Sequence, residues 1–133
     1  MKTVYLAHPY SAPTAAERDA NRARAARWAA WALTERGVSP SCSWIVLTGE
    51  LPESPENRRL GMAADLAQVE QCTELWLVGG RVTPGMAEEA EYARLHNIPV
   101  FNFTSLGDEP PTRPSDTEPV PADESGADWG VVA

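Results

Sequence analysis

Two adjacent glutamates, Glu88 and Glu89, follow a loop containing proline and glycine in the stretch VTPGMAEEAEYA, residues 82–93. Acidic residues are common in the first turn of a helix, because they stabilise the positive end of the helix dipole. A carboxylate can also attack an electron-poor carbon or stabilise a developing cation. The question is which of the two glutamates, if either, performs chemistry.

Helical periodicity separates the two side chains. At 100° per residue, Ala90 and Ala93 fall within about 40° of Met86, and the three form the stripe that must face the sheet. Glu89 lies about 60° from Met86, beside this stripe, whereas Glu88 points about 160° away. Glu88 therefore fits a solvated helix acid, and Glu89 is the candidate for chemistry.

The elements that must position Glu89 alternate between strand and helix. The apolar and polar patterns predict strands at 3–7, 44–47, 74–80 and 98–103, and helices at 14–36, 58–72 and 85–97. The first helix is predicted to bury Ala23, Ala26, Ala30 and Leu33. This alternation predicts an α/β fold of three layers, a doubly wound parallel sheet of four to five strands of the Rossmann or flavodoxin type.

Ligands of such sheets bind beyond the carboxyl ends of the strands. Three loops lie there: HPYSAP (8–13), TGELPESP (48–55) and GRVTPGM (80–86). The sequence lacks a P-loop, and VGGRVTPG (78–85) does not fit the dinucleotide-binding glycine pattern. We therefore expect a ligand cleft built without the common nucleotide-binding fingerprints.

Charge is unevenly distributed along the 133 residues, whose net charge is −8. Residues 107–133 contain seven acidic residues, one arginine and five prolines, so their net charge of −6 leaves −2 for residues 1–106. Such a composition buries too little apolar surface to offset the entropy of ordering. The sequence predicts one folded domain, 1–106, and a disordered tail, 107–133, that is dispensable for catalysis.

Several classes of function are not expected. No basic patch indicates binding to nucleic acid, and no segment resembles a signal peptide or a membrane span. Cys42 and Cys72 are a widely spaced pair, which favours a reducing cytoplasm, and with His8 and His96 they make no zinc spacing. We expect a cytoplasmic protein that needs no metal or cofactor.

Three segments together resemble the nucleoside 2-deoxyribosyltransferase superfamily: VYLA (4–7), ADLAQVEQCTELWLV (64–78) and TPGMAEEAEYA (83–93). That group includes 2′-deoxynucleoside 5′-monophosphate N-glycosidases, cytidylate hydrolases and many short bacterial and phage proteins. The resemblance covers residues 3 to about 103. It implies cleavage or transfer of an N-glycosidic bond.

The resemblance also implies roles for individual residues. Tyr5, Asp65, Gly85 and Glu89 stand where the family has a strand tyrosine, a helix aspartate, a loop glycine and the nucleophilic glutamate. Glu89 would attack the anomeric carbon or stabilise the oxocarbenium ion, Asp65 would assist the leaving base, and Tyr5 would orient Glu89. Without the family, Tyr5 could be a core residue and Asp65 an exposed helix acid.

The resemblance bears on the substrate as well. Family members that act on free nucleosides carry an aspartate six residues before the nucleophile, where this chain has Thr83; a hydroxyl there suits a 5′-phosphate. Gly85 and Met86 would complete this binding loop. The family arginine of the first loop is replaced by Ser11, and Arg81, Arg22 or His8 could substitute for it.

We therefore expect an N-glycosidase or deoxyribosyltransferase-like enzyme acting on nucleosides or nucleoside 5′-monophosphates. Alternatives are a module of the same fold that senses a nucleotide without turnover, and an assembly partner acting through its acidic tail. We also expect a homodimer or larger homo-oligomer, because the relatives build their sites near subunit contacts. The large apolar groups Trp28, Trp31, Trp44 and Trp76 support the same expectation.

Overall fold

A computed structural model of the chain describes residues 1–112 and Gly130. Strands and helices alternate, except that two helices follow the second strand. The elements are β1 (Thr3–Ala7), α1 (Ala15–Arg36), β2 (Ser39–Ser41), α2 (Trp44–Glu50), α3 (Pro55–Glu70), β3 (Glu74–Leu77), α4 (Pro84–Leu95) and β4 (Val100–Asn102), followed by a 3-10 turn (Thr104–Leu106).

The four strands form one parallel sheet in the order β2-β1-β3-β4. Successive side chains of β1 alternate between two apolar clusters, as the pleat of a strand requires. Val4 and Leu6 pack with Trp28 of α1, whereas Tyr5 and Ala7 pack with residues of α2, α3 and α4. The predicted three-layer α/β fold is confirmed, with a sheet of four strands.

Helix α1 begins and ends where its sequence indicates. The Thr14 side chain accepts a hydrogen bond from the Glu17 N–H, and Gly37 adopts the left-handed conformation (φ 66°) that glycine favours. The predicted buried stripe of this helix is wrong, because Ala23, Ala26, Ala30 and Leu33 are all exposed. The helix instead buries Asn21, Ala25, Trp28, Trp31 and Ala32. The two tryptophans carry far more apolar area than alanines, so they take the side facing the sheet.

The second strand was also predicted in the wrong place. Residues 44–47 belong to α2, and the strand is the shorter Ser39–Ser41. Pro40 is tolerated there because β2 is an edge strand, whose outward N–H groups need no partner. The Trp44 side chain is buried and its Nε1 donates to the Leu6 carbonyl (3.2 Å), so tertiary packing overrides the strand preference of this apolar run.

Helices α3 and α4 begin with the same type of amino-terminal cap. Ser54 and Thr83 accept hydrogen bonds from the N–H groups of Asn57 and Met86, and a proline occupies the first helical position of each helix. Helix α3 thus starts three residues earlier than the predicted 58. The first turn of α4 is held at the carboxyl end of the sheet.

The packed part of the chain extends slightly beyond the predicted boundary at 106. The Asp108 carbonyl accepts a hydrogen bond from Trp28 Nε1 (2.7 Å), and Glu109 forms ion pairs with Arg24 and Arg27. The predicted disorder of residues 113–129 and 131–133 concerns segments outside the described residues. Among the residues that are described, no helix has the length and apolar character needed to cross a membrane.

The tryptophans do not support an oligomer in the way the sequence suggested. Trp28, Trp31, Trp44 and Trp76 are all buried within the single chain. Rings of Trp31, Trp76 and Phe103 contact one another edge to face or tilted, with centroids 4.7–6.1 Å apart. These side chains are therefore not available for contacts with a second copy.

Candidate active site

A cleft of about 290 Å³ opens at the carboxyl end of the sheet. All three loops that the sequence placed at this edge contribute to its walls. Seven of the eight predicted site residues line it: His8, Ser11, Asp65, Thr83, Gly85, Met86 and Glu89. The eighth, Tyr5, lies behind Glu89 in the core, so the fold brings the predicted residues together.

Glu89 is a buried carboxyl that faces this cleft. It lies in the second turn of α4 and is only 7% exposed, while its neighbour Glu88 is exposed, as the helical periodicity predicted. The Tyr5 hydroxyl donates a hydrogen bond to Glu89 Oε2 over 2.6 Å. Tyr5 is fully buried on a central strand, so its rigid ring fixes the position of the glutamate.

Asp65 approaches the same point from α3. Its carboxyl group interacts with Glu89 and Tyr5, and its Oδ1 is buried without a hydrogen-bond partner among the described atoms. A buried polar atom that lacks a partner is costly in a stable fold. Asp65 therefore offers an oxygen that a ligand in the cleft can satisfy.

Burial raises the pKa values of both carboxyls. The pKa of Glu89 rises to about 8, mainly through burial, with the negative charge of Asp65 adding to the rise. Burial likewise raises the pKa of Asp65 to about 6, while its hydrogen bonds with Glu89 and Tyr5 oppose the rise. Burial also raises the pKa of Tyr5, so its hydroxyl stays protonated as a donor. At neutral pH, the two carboxyls together hold one proton.

Burial favours the protonated form of both carboxyls, and Glu89 is the more deeply buried of the two. A nucleophile must instead be ionised. The Tyr5 hydrogen bond favours the ionised form of Glu89, and positive charge developing on a ligand beside it would act in the same direction. A positive charge beside Glu89 would therefore favour placing the shared proton on Asp65.

His8 is a neutral residue of the cleft wall. It is buried, its Nδ1 lies 2.7 Å from the Pro9 carbonyl oxygen, and burial lowers its pKa to about 4. Gly79 makes room for the ring, because a Cβ at that position would lie 2.5 Å from His8 Cδ2. A neutral His8 carries no positive charge, so its substitution for the family arginine stays a prediction.

The amino end of α4 forms another wall. The Thr83 Oγ1 accepts a hydrogen bond from the Met86 N–H (3.3 Å), which leaves the hydroxyl hydrogen available to a ligand. A Cβ on Gly85 would meet only the Met62 methyl group, at 3.9 Å, so the backbone at this point is open to close approach. Pro84 has no N–H, and the Met86 and Ala87 N–H groups bond to Thr83, so the Gly85 N–H and the helix dipole are what favour an anion here.

The sequence reasoning missed several residues of the cleft. Among the described lining residues, Arg58 is the one arginine, whereas Arg22 and Arg81 are not part of the lining. Tyr10 and Trp44 form an aromatic wall, with ring centroids 5.9 Å apart at 61°. Arg58, Met62 and Asp65 stand at positions i, i+4 and i+7 of α3, so they share one face of the helix. This spacing was the feature of the sequence that could have indicated Arg58.

Metal ligation is not evident in the described part of the chain. Residues 1–112 contain no group of three or more histidine, cysteine, aspartate or glutamate side chains arranged to hold an ion.

Comparison with known proteins assigns the chain to a family. Residues 2–103 match the family described as Domain of unknown function (DUF7768). The chain belongs to this family. The match includes Tyr5, Asp65 and Glu89 and ends before the acidic segment. No curated protein and no solved structure matched the chain.

Proposed function

We propose that this protein cleaves or transfers the N-glycosidic bond of nucleosides or nucleoside 5′-monophosphates, with Glu89 as the catalytic carboxylate. The observation that carries the proposal is the buried cluster of Tyr5, Asp65 and Glu89 at the floor of an open cleft. Two carboxyls that share one proton offer a base and an acid at the same time. Cleavage of an N-glycosidic bond needs both.

The proposed reaction begins with electron withdrawal by the base. As the bond from the anomeric carbon to the base nitrogen breaks, its electron pair moves to the base and the sugar carbon becomes positive. Ionised Glu89 attacks this carbon or stabilises the cation, and Asp65 delivers its proton to the departing nitrogen. Water then releases the sugar in hydrolysis, or a second base accepts it in transfer.

Tyr5 has a positioning role in this scheme. Its hydroxyl donates to Glu89 Oε2 and so holds the carboxyl group in one orientation. Loss of this bond would therefore free the side chain to adopt unproductive rotamers.

We further propose that the substrate carries a 5′-phosphate. The amino end of α4 provides the Thr83 hydroxyl and open backbone at Gly85. Arg58, which pairs with Glu53 across 2.9 Å in the same cleft, would exchange this partner for the phosphate and supply the positive charge that position 11 lacks. Each hydrogen bond between a charged group and its partner contributes about 1.5–3 kcal/mol. Two such bonds would favour a monophosphate over its nucleoside by tenfold or more, even though Glu88 and Glu89 oppose an anion.

A direct test incubates the purified protein with a panel of nucleosides and nucleoside 5′-monophosphates and measures free base by chromatography. Hydrolysis gives base and sugar in equal amounts, whereas transfer gives base only when a second base is supplied. A nucleotide that raises the melting temperature without any release of base would point to the sensing module instead. If no compound of the panel is turned over and none raises the melting temperature, both functions are contradicted.

A further inference from the structure

The floor of the cleft carries a negative charge that no described side chain neutralises. Asp65 and Glu89 lie there and at neutral pH hold one proton between them, so the pair keeps one negative charge. Arg58 is the one cationic residue among the described residues that line the cleft, and its guanidinium pairs with Glu53 over 2.9 Å. None of the ion pairs within residues 1–112 includes Asp65 or Glu89. A positively charged ligand would supply the missing counter-charge.

One oxygen atom of this pair is also left without a partner. The Tyr5 hydroxyl donates to Glu89 Oε2 over 2.6 Å, whereas Asp65 Oδ1 is buried and makes no hydrogen bond to any described atom. A buried charge without a counter-ion and a buried acceptor without a donor both cost stability. A ligand that brings a positively polarised group to the floor would relieve both costs.

The walls beside this floor are aromatic and apolar. Tyr10 and Trp44 line the cleft with ring centroids 5.9 Å apart, and Trp44 belongs to the same buried cluster as Tyr5. Leu47 and Leu51, which are 39% and 43% exposed, continue the apolar lining. The face of an aromatic side chain attracts a cation, and an apolar wall accommodates a flat ring. Floor and walls together fit a flat ring that carries a positive charge.

We propose that the site acts on nucleotides whose base is a positively charged aromatic ring, such as an N-alkylated purine or a pyridinium. The inference rests on the proposed function and names its substrate class. An uncharged base would stack on the same wall but would leave the charge on the floor without a counter-ion. An alkylammonium ligand would bring the charge but lacks the flat surface that the aromatic wall accommodates.

A positive ring would also help the reaction. Burial raises the pKa of Glu89, and a positive charge beside the carboxyl opposes this rise, so a cationic substrate favours the ionised nucleophile as soon as it binds. When the bond from the anomeric carbon to the ring nitrogen breaks, its electron pair moves into the ring, which leaves as a neutral base. This departure needs no proton from Asp65. Water then adds to the sugar carbon and gives up one proton, so hydrolysis yields neutral base, sugar and one proton.

Ligand binding to Glu89→Gln tests the charge without turnover. This variant removes the nucleophile but keeps one negative charge on the floor, that of Asp65. Calorimetry at neutral pH would compare two pairs of nucleotides: 1-methyladenosine 5′-monophosphate with adenosine 5′-monophosphate, and nicotinamide mononucleotide with its reduced form. Each pair shares its sugar and phosphate, and only the first member has a cationic base. That member should bind at least about tenfold tighter, the lower end of the effect of opposite charges about 4–6 Å apart.

Two double variants locate the charge. Glu89→Gln with Asp65→Asn has an uncharged floor, so the preference for the cationic nucleotides should fall to within about threefold, the part that the aromatic wall retains. Glu89→Gln with Glu88→Gln is the matched control, because it also loses a second carboxylate, but an exposed one outside the cleft. It should keep the full preference. Equal affinity for both members of each pair in Glu89→Gln, an undiminished preference after Asp65→Asn, or no binding of any of the four nucleotides would overturn the inference.

Turnover separates this inference from the proposed function. Asp65→Asn removes the proton donor, so it should reduce kcat at least about tenfold more for a neutral nucleotide than for a cationic one. Cleavage of neutral nucleotides without tighter binding of the cationic ones would contradict the substrate class and leave the proposed reaction standing. Tight binding of the cationic nucleotides to Glu89→Gln, with no release of base by the wild type, would contradict the proposed reaction and support the cationic ligand class.

Discussion

The raised pKa of Glu89 predicts that the protein loses stability as pH rises. An unfolded glutamate releases its proton near pH 4.5, whereas folded Glu89 retains it to about pH 8. Its contribution is therefore fully present below pH 4.5 and is lost between 4.5 and 8. Within that window the free energy of unfolding falls by about 1.4 kcal/mol per pH unit, to a total of at most about 5 kcal/mol.

Glu89→Gln removes this ionisation while keeping the size of the side chain. The difference in free energy of unfolding between the variant and the wild type should be small at pH 5. At pH 8 the variant should be more stable than the wild type by several kcal/mol. This is a large part of the free energy of unfolding of a typical protein, which is about 5–15 kcal/mol. Urea unfolding at pH 5, 6, 7 and 8, followed by tryptophan fluorescence, measures this difference.

Glu88→Gln is the matched control, since it removes the neighbouring carboxylate at an exposed position. Its effect should stay within about 0.5 kcal/mol at every pH, as is usual for surface substitutions. A Glu89→Gln effect that does not change between pH 5 and pH 8 would refute the reasoning, because burial would then impose no cost on the ionised carboxyl.

Three further outcomes follow from the site and the packing. The pH profile of kcat/KM should be bell-shaped, with limbs near the pKa values of about 6 and 8, because both carboxyls are protonated below this range and both are ionised above it. Asp65→Asn should abolish the alkaline limb. A pH profile that is unchanged in that variant would contradict the shared proton. Thr83→Asp, which keeps a helix cap, should reduce the preference for a monophosphate over its nucleoside at least about tenfold relative to Thr83→Ser; a wild type that prefers the nucleoside would exclude the phosphate site. Deleting residues 113–133 should leave turnover and melting temperature nearly unchanged, and a large loss of either would show that this segment contributes to the folded domain.

The fold class was predictable because strand and helix alternate along most of the sequence. The uninterrupted apolar run at β3 and the capped starts of the helices carry strong local signals. Errors arose where tertiary packing decides. Residues 44–47 are rich in strand-forming types, yet the buried indole of Trp44 holds them in a helix. The buried face of α1 was predicted wrongly because the prediction followed the spacing of the alanines and not the larger apolar area of the tryptophans.

The candidate site was predictable where periodicity gives direction. Glu89 flanks the apolar stripe of α4, and one helical wheel suffices to distinguish it from Glu88. Helical spacing places Arg58 on the same face of α3 as Asp65, but the sequence does not show that this face reaches the cleft, because that depends on how α3 packs beside α4. The neutrality of His8 follows from its burial, which no property of the sequence HPY displays.

Measured turnover of Glu89→Gln beside Glu88→Gln tests the central claim most directly. The substrate is whichever nucleoside or monophosphate the wild type cleaves. Each variant is assayed at a protein concentration at which its molecular mass in solution equals that of the wild type. Glu89→Gln should lose at least about a hundredfold in kcat, on the scale of a group acting directly in proton transfer or attack. Glu88→Gln should retain most of the wild-type rate. Equal rates for the wild type and Glu89→Gln would contradict the account.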